Sequence, residues 1–372
     1  MHVEVAIVGG GIYGTAAGYF ISKAGIRVAL VEEGAIGNGG ATAFSRGIVR
    51  VYDPDPVLAS LSLAGSFEFN HWEELGYPGL PPYRRTGCLY RVAPDHHDAA
   101  IRLTKELQGS GYCFEWLTSV QLASRFPFIR TAPADLAIWE PDSGYGDPRL
   151  ASENLAAASK TQGAVIYERC RAGAIDRGPG YWRISLPYGS ITAQVLLLAG
   201  GAATRRLLPL LPIVTRSIGL LYMESGTMIL QPAVPVIDEI TGTYIRPLEN
   251  GGYYCGTQVM EQADSPGDLR GFGEDHLTDA SLRVQQLLKS SYTGRAVNGF
   301  IGFDAYTSNY RPLIGFMTGY EDLFVATGFS GRGFKYAMAL SKGIAGQIGS
   351  RLGYNLQFPE MHPAFYSPEK VF

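Results

Sequence analysis

Cysteine is scarce in this chain, four residues in 372, and none belongs to a Cys-x-x-Cys pair. Cys88, Cys113, Cys170 and Cys255 lie far apart, which argues against a disulfide framework or a zinc site and makes buried thiols the expectation. Histidine is nearly as rare, with six residues and one adjacent pair, His96–His97, followed by Asp98. Without His-x-x-x-His spacing this stretch reads as a solvated loop, and no metal is expected. Charge of one sign is also missing. The net charge is −3, acids and bases are scattered, and no basic run interleaved with aromatics offers a nucleic-acid surface. Long hydrophobic runs are absent too. Val195–Ala199 and Leu207–Val214 fall well short of a membrane span, and proline interrupts the second. The opening MHVEVAIVGG reads as a core strand and leaves no room for a cleavable leader, so a cytoplasmic protein is expected. The chain does have ample apolar material, 46% hydrophobic against 17% charged residues, and a length suited to two domains.

Residues 3–8 (VEVAIV) are an apolar strand rich in β-branched residues, as expected of a parallel strand covered on both faces. Gly9, Gly11 and Gly14 follow, then a small-residue helix over Thr15–Ala24 and a second strand over Arg27–Val31 ending in Glu32–Glu33. The unit is a complete βαβ crossover. Further along, residues 84–92 alternate as an antiparallel strand does, and Gly242–Arg246 with Gly252–Val259 form a hairpin around the turn PLENG. Arg149–Gly163 reads as a helix, Ala164–Tyr167, Val195–Ala199 and Leu323–Thr327 as buried strands, and Lys335–Leu352 as a long helix. Parallel pieces thus fall at the start, middle and end, with antiparallel pieces between them. Two interleaved α/β domains are expected, each discontinuous in sequence.

The three glycines divide the work of binding a dinucleotide. Gly9 makes the tight turn, Gly11 lets the backbone approach a pyrophosphate, and Gly14 lets helix and strand pack closely. The pyrophosphate would sit at the helix N-terminus, where free N–H groups and the macrodipole favour an anion. Glu32, at the end of the second strand, can accept from ribose hydroxyls and would repel a 2′-phosphate.

Four later stretches extend this reading. PDSGYGDPRLASENLAAASKTQGAVIYE (141–168), QVLLLAGGAAT (194–204), TGTYIRPLENGGYYCGTQ (241–258), and YTSNYRPLIG with LFVATGFSGRGFKYAMALSKGIA (306–315 and 323–345) occur in the order found in one family. Together they resemble the D-amino-acid-oxidase-like superfamily of FAD-dependent oxidoreductases, and within it the monomeric-sarcosine-oxidase-like amine oxidases. The resemblance implies a Rossmann-type FAD-binding domain with a three-layer ββα sandwich, interleaved with an antiparallel-sheet substrate domain. The expected division is 1–83, 141–210 and 300–372 for FAD, and 84–140 and 211–299 for substrate. Flavin contacts are implied for Gly9, Gly11, Ile12, Tyr13, Gly14, Glu32, Glu33, Ser45, Arg46, Ala172, Ala199 and Gly200. At the far end of the chain they are implied for Gly328, Ser330, Gly331, Arg332, Gly333, Phe334 and Lys335. A helix beginning near Lys335 would direct its positive end toward the side of the flavin that gains charge on reduction.

The resemblance also implies catalytic positions. Arg50 and Lys335 match the Arg and Lys that hold a substrate carboxylate; the alternative is a surface Arg and a helix-start Lys with no ligand. Arg46 matches an Arg beside the flavin ring if one residue is inserted in its loop. Tyr306 and Tyr244 match pocket walls and could equally be core tyrosines. Two departures stand out. Asp304 replaces the Cys that often links FAD covalently, so a non-covalent flavin is expected. Tyr254 replaces the Lys that aids reaction with oxygen and Gln258 a nearby His, so fast oxidase turnover is not expected, with Arg332 as a candidate compensating charge.

The favoured activity is oxidation of a C–N bond in a carboxylate-bearing amine or amino acid by FAD. A second reading keeps the flavin and makes the substrate a partner protein or carrier-bound intermediate, as in maturation of a tryptophylquinone cofactor. A third is an NAD-binding module or a flavin-bearing subunit without turnover.

Overall fold

His2–Val8 places Val3, Val5, Ala6 and Ile7 in the core, so both faces of the first strand are covered as its unbroken apolar run requires. In the computed structural model, which describes residues 1–356 and residue 358, this strand is the centre of a parallel sheet. The parallel order is Val165–Tyr167, Val28–Val31, His2–Val8, Gly189–Leu198, Leu323–Thr327. One face packs on the helices Ile12–Lys23, Pro148–Thr161 and Ala337–Arg351. The other packs on an antiparallel meander of Ile175–Gly178, Tyr181–Leu186 and the first half of Gly189–Leu198, through Trp182 and Ile184. The result is the expected Rossmann-type domain with three layers.

The first helix starts directly after Gly11, three residues before the expected Thr15. Pro148–Thr161 begins on an Asp147 side chain that accepts from the Arg149 and Leu150 N–H groups, with Pro148 in the first turn, where its missing N–H costs nothing. The terminal helix departs from a single Lys335–Leu352 element: Gly333–Tyr336 is a 3₁₀ turn, and the α-helix follows at Ala337.

A second sheet of nine strands forms the other domain. Its face toward the first domain is built by alternation. In Thr243–Pro247 and Tyr253–Gly256, Ile245, Tyr253 and Cys255 enter the core against the helix Glu274–Leu287, whereas Tyr244, Arg246 and Tyr254 face the opposite way. These strands are the expected hairpin, in register Arg246↔Tyr254. The long strand Arg295–Tyr306 pairs with Val214–Glu224 along its whole length, carrying this sheet to Tyr306, past the expected boundary at 300. Of the expected 300–372 segment, residue 357 and those after 358 lie outside the described residues.

Three local expectations are corrected. Residues 84–92 are two strands, Tyr83–Arg85 and Cys88–Val92, in different sheets. Gly87 bends the chain between them at φ +80°, against Trp139 where a Cβ would collide. The His96–His97 stretch is helical, because Pro94–His96 forms a 3₁₀ turn that leads into the helix His97–Gln108. Of the cysteines, Cys88 and Cys255 are buried, Cys170 is half-buried and Cys113 is exposed, all as free thiols. Among the described residues no helix is long and apolar enough to cross a membrane, and no cluster of metal-ligating side chains occurs.

Candidate active site

The glycine turn closes the first strand against the second half of the parallel sheet. Gly9 takes φ +113°, and a Cβ there would collide with the Ala199 carbonyl; one on Gly14 would collide with the Gly9 carbonyl oxygen. Glu32 holds the turn from the neighbouring strand, its two oxygens accepting from the Gly10 and Gly34 N–H groups at 2.6 and 2.7 Å. Each oxygen keeps a lone pair for a sugar hydroxyl.

From this turn a cavity of about 1120 Å³ runs between the domains to the hairpin face of the nine-stranded sheet. The two chain ends meet along it. The Tyr13 hydroxyl donates to the Gly333 carbonyl at 2.7 Å, and its ring stacks on Phe329 with centroids 3.6 Å apart. Most of the sequence-derived candidates border the cavity: Gly9, Gly11, Ile12, Tyr13, Glu32, Glu33, Ser45, Arg46, Arg50, Ala172, Ala199, Gly200, Tyr306 and residues 331–335. Tyr244 borders it too.

Five of the residues singled out in the sequence do not border it. Gly14 lies beneath the turn. Gly328 backs on to Thr307, and Ser330, in a left-handed conformation at φ +53°, uses its hydroxyl to tie the Gly328 carbonyl to the Thr307 N–H. Both shape the loop from behind. Tyr254 stands behind Arg46, whose guanidinium lies 4.3 Å over its ring. Gln258 also points elsewhere, donating to the Gly242 carbonyl.

Arg50 and Lys335 are brought together, and with them comes a residue that sequence reasoning missed. Asp53, fully buried, receives Lys335 Nζ and Arg332 Nη1 at 2.9 Å each and lies 3.6 Å from Arg50 Nη2. Burial alone would raise its carboxyl, but Lys335, Arg50 and Arg332 outweigh that and hold it far below the usual carboxylate range. Burial and the adjacent Arg50 push the Lys335 ammonium down to about 8 despite Asp53. Arg332 is therefore committed to Asp53, which corrects its reading as a spare cation. The one sequence signal was Asp53 itself, three residues after Arg50, but its bond to a lysine 282 positions away is tertiary. Three cations share one carboxylate, and buried Arg50 Nη1 has no hydrogen-bond partner. The cluster has room for one more anion.

Asp304 lies on the cavity wall, and its oxygens accept from the Gly331 and Ala305 N–H groups at 2.7 Å, clamping the glycine-rich loop. Burial raises its carboxyl to about 6, against the pull of those two N–H groups. The nearby Tyr306 hydroxyl is raised to about 12 by burial and by Asp304.

The residues present fit a flavin dinucleotide. The cavity exceeds the usual drug-sized pocket, glycines open it where a phosphate must approach, and Glu32 waits at the ribose position. No cysteine or histidine among the described residues borders it.

Comparison with known proteins agrees with this geometry. The family described as "DAO: FAD dependent oxidoreductase" matches residues 4–347. N-methyl-L-tryptophan oxidase of Yersinia pestis is 25% identical over 362 residues, covering 92% of this chain and 94% of that protein. Mouse mitochondrial dimethylglycine dehydrogenase is 24% identical over 91% of this chain, which spans only 41% of the length of that relative. Among solved structures, glycine oxidase from Geobacillus kaustophilus superposes with a TM-score of 0.81 at 22% identity, over 96% of each chain.

Proposed function

The chain belongs to the DAO family of FAD-dependent oxidoreductases, and from that premise we propose that it oxidises the C–N bond of a carboxylate-bearing amine, an amino acid or an N-alkyl or cyclic amino acid, to an imine. The observation that carries this reading is the cluster of Arg50, Lys335 and Arg332 around a single Asp53, with Arg50 Nη1 unpaired in the cavity wall. Buried charges persist when paired and hydrogen-bonded. A substrate carboxylate on Arg50 lowers the residual positive charge of the cluster.

FAD, when bound, supplies the two-electron acceptor for the hydride that leaves the carbon next to nitrogen. The protein's residues do the rest. Arg50 fixes the carboxylate, and Asp53 holds Arg50 and Lys335 so that neither swings away. Tyr244 and Tyr306, which border the cavity, give the amine apolar walls that exclude water. No histidine among the described residues borders the cavity, which suits an amine that binds already deprotonated. The flavin is held without a covalent bond, because Asp304 stands where a linking thiol would be and spends both oxygens on backbone N–H groups. Tyr254 replaces the lysine that would aid reaction with oxygen, and Arg46 lies over its ring.

The test is binding of simple carboxylates to the holoprotein, with Arg50→Ala as comparison. Removing one partner of a buried, charge-assisted pair costs about 2–5 kcal/mol, so affinity should fall by roughly thirtyfold or more. Equal affinity in the two proteins removes the carboxylate from the reading.

A further inference from the structure

Beyond the cavity, on the same face of the hairpin, a second group of cations stands without an anion. Arg46 borders the cavity, and among the described residues it makes no hydrogen bond or ion pair; its buried Nε has no partner. Its guanidinium lies between the rings of Tyr254 and Phe300, at 4.3 and 4.7 Å. Directly across the ladder from Tyr254 is Arg246, half-buried, 4.1 Å over the Tyr145 ring. It makes one long bond, from Nη1 to the Pro247 carbonyl at 3.3 Å, and its buried Nε is also unpartnered.

The Arg246 guanidinium feels the charge of Arg46. Burial lowers the pKa of both, and Arg46 and Arg84 lower that of Arg246 further. Among the described residues no carboxylate forms an ion pair with either. Asp147, whose charge reaches Arg46, uses its Oδ1 to cap the helix at Arg149 and Leu150. Glu249 is paired with Arg84 at the surface. Aromatic faces offset part of the burial cost, yet neither guanidinium has a paired anion among the described residues.

The alternation of the sheet puts this pair in line with the reaction cavity. Tyr244, which lines the cavity, and Arg246 lie two residues apart on one strand and share a face. We propose that the substrate carries a second anionic group, a carboxylate or its equivalent, which Arg46 at the cavity wall and Arg246 beside it hold while Arg50 holds the first. The inference rests on the reading of the substrate as a carboxylate-bearing amine and narrows it to amines with two acidic groups. Arg46 and Arg246 would thus set specificity; neither touches the bond that breaks.

The experiment is calorimetric titration of the FAD-loaded protein with glutarate and pentanoate, which share a chain length and differ by one carboxylate. Glutarate should bind roughly tenfold tighter or better, the size expected of a charge-assisted hydrogen bond in a partly buried site. Arg246→Gln should bring the ratio of the two affinities close to one, and Arg246→Lys should keep part of it. Arg50→Ala should weaken both ligands. Equal affinity for the two acids in the unmodified protein, or a ratio untouched by Arg246→Gln, overturns the second site while leaving the first standing. If neither acid binds, the carboxylate reading fails with it.

Discussion

At the scale of the residue, Asp53 governs the chemistry. It converts three repelling cations into a rigid cradle and leaves Lys335 near its titration point, with an ammonium pKa of about 8. Carboxylate binding should therefore be strongest while Lys335 is charged and should weaken as pH rises through about 8. Lys335→Met should bind more weakly and show no such limb between about pH 7 and pH 9, as titrations at several pH values would show. Asp304 makes the opposite case. Its folded pKa, about 6, lies above its ordinary value of 3.8, so the stability it contributes is complete below pH 3.8 and is lost as pH rises through about 6. Asp304→Asn escapes that loss. Relative to the unmodified protein, the variant without FAD should gain about 3 kcal/mol between about pH 3.5 and pH 7, at ~1.4 kcal/mol per pH unit. Parallel denaturant titrations would show it, and a gap independent of pH would contradict it. Arg50 and Lys335 could be picked out in the sequence because the residues around them resemble a family pattern. Asp53 could not, because an acid three residues from an arginine is ordinary until the fold brings Lys335 and Arg332 to it.

At the scale of the element, the opening βαβ unit was the most legible part. Gly9 and Gly14 there answer local demands that no other residue meets, and the strand on either side is largely apolar. Gly14→Ala puts a methyl group into the Gly9 carbonyl. The turn must open to admit it, so the variant should retain far less FAD on gel filtration and lose about 1–3 kcal/mol of stability. FAD retention equal to that of the unmodified protein would deny the turn its role. The hairpin around PLENG was legible as well, through strict alternation and a turn rich in Gly and Asn. What escaped was set by distant packing. The 84–92 stretch alternates as one strand, yet Trp139 against Gly87 divides it between two sheets. The glycine-rich loop was read as uniform flavin contact, but Gly328 and Ser330 turn inward to brace it on Thr307.

At the scale of the whole molecule, the two domains are interleaved so that residues from both chain ends meet at one cavity. Tyr13 on Gly333 and Asp53 on Lys335 join segments far apart in sequence, and Asp304 on Gly331 ties a nearer pair. A dinucleotide in the cavity would lie along Tyr13, Asp304, Gly331, Gly333 and Lys335, which makes its retention a report on the assembled fold. The most direct measurement is the visible absorbance of the flavin after anaerobic mixing of the purified protein with N-methyl, cyclic and acidic amino acids. The account predicts a yellow protein whose colour bleaches with a carboxylate-bearing amine, and bleaches far more slowly in Arg50→Ala. A colourless protein that rejects FAD, or a flavin that stays oxidised with every such amine, would contradict it.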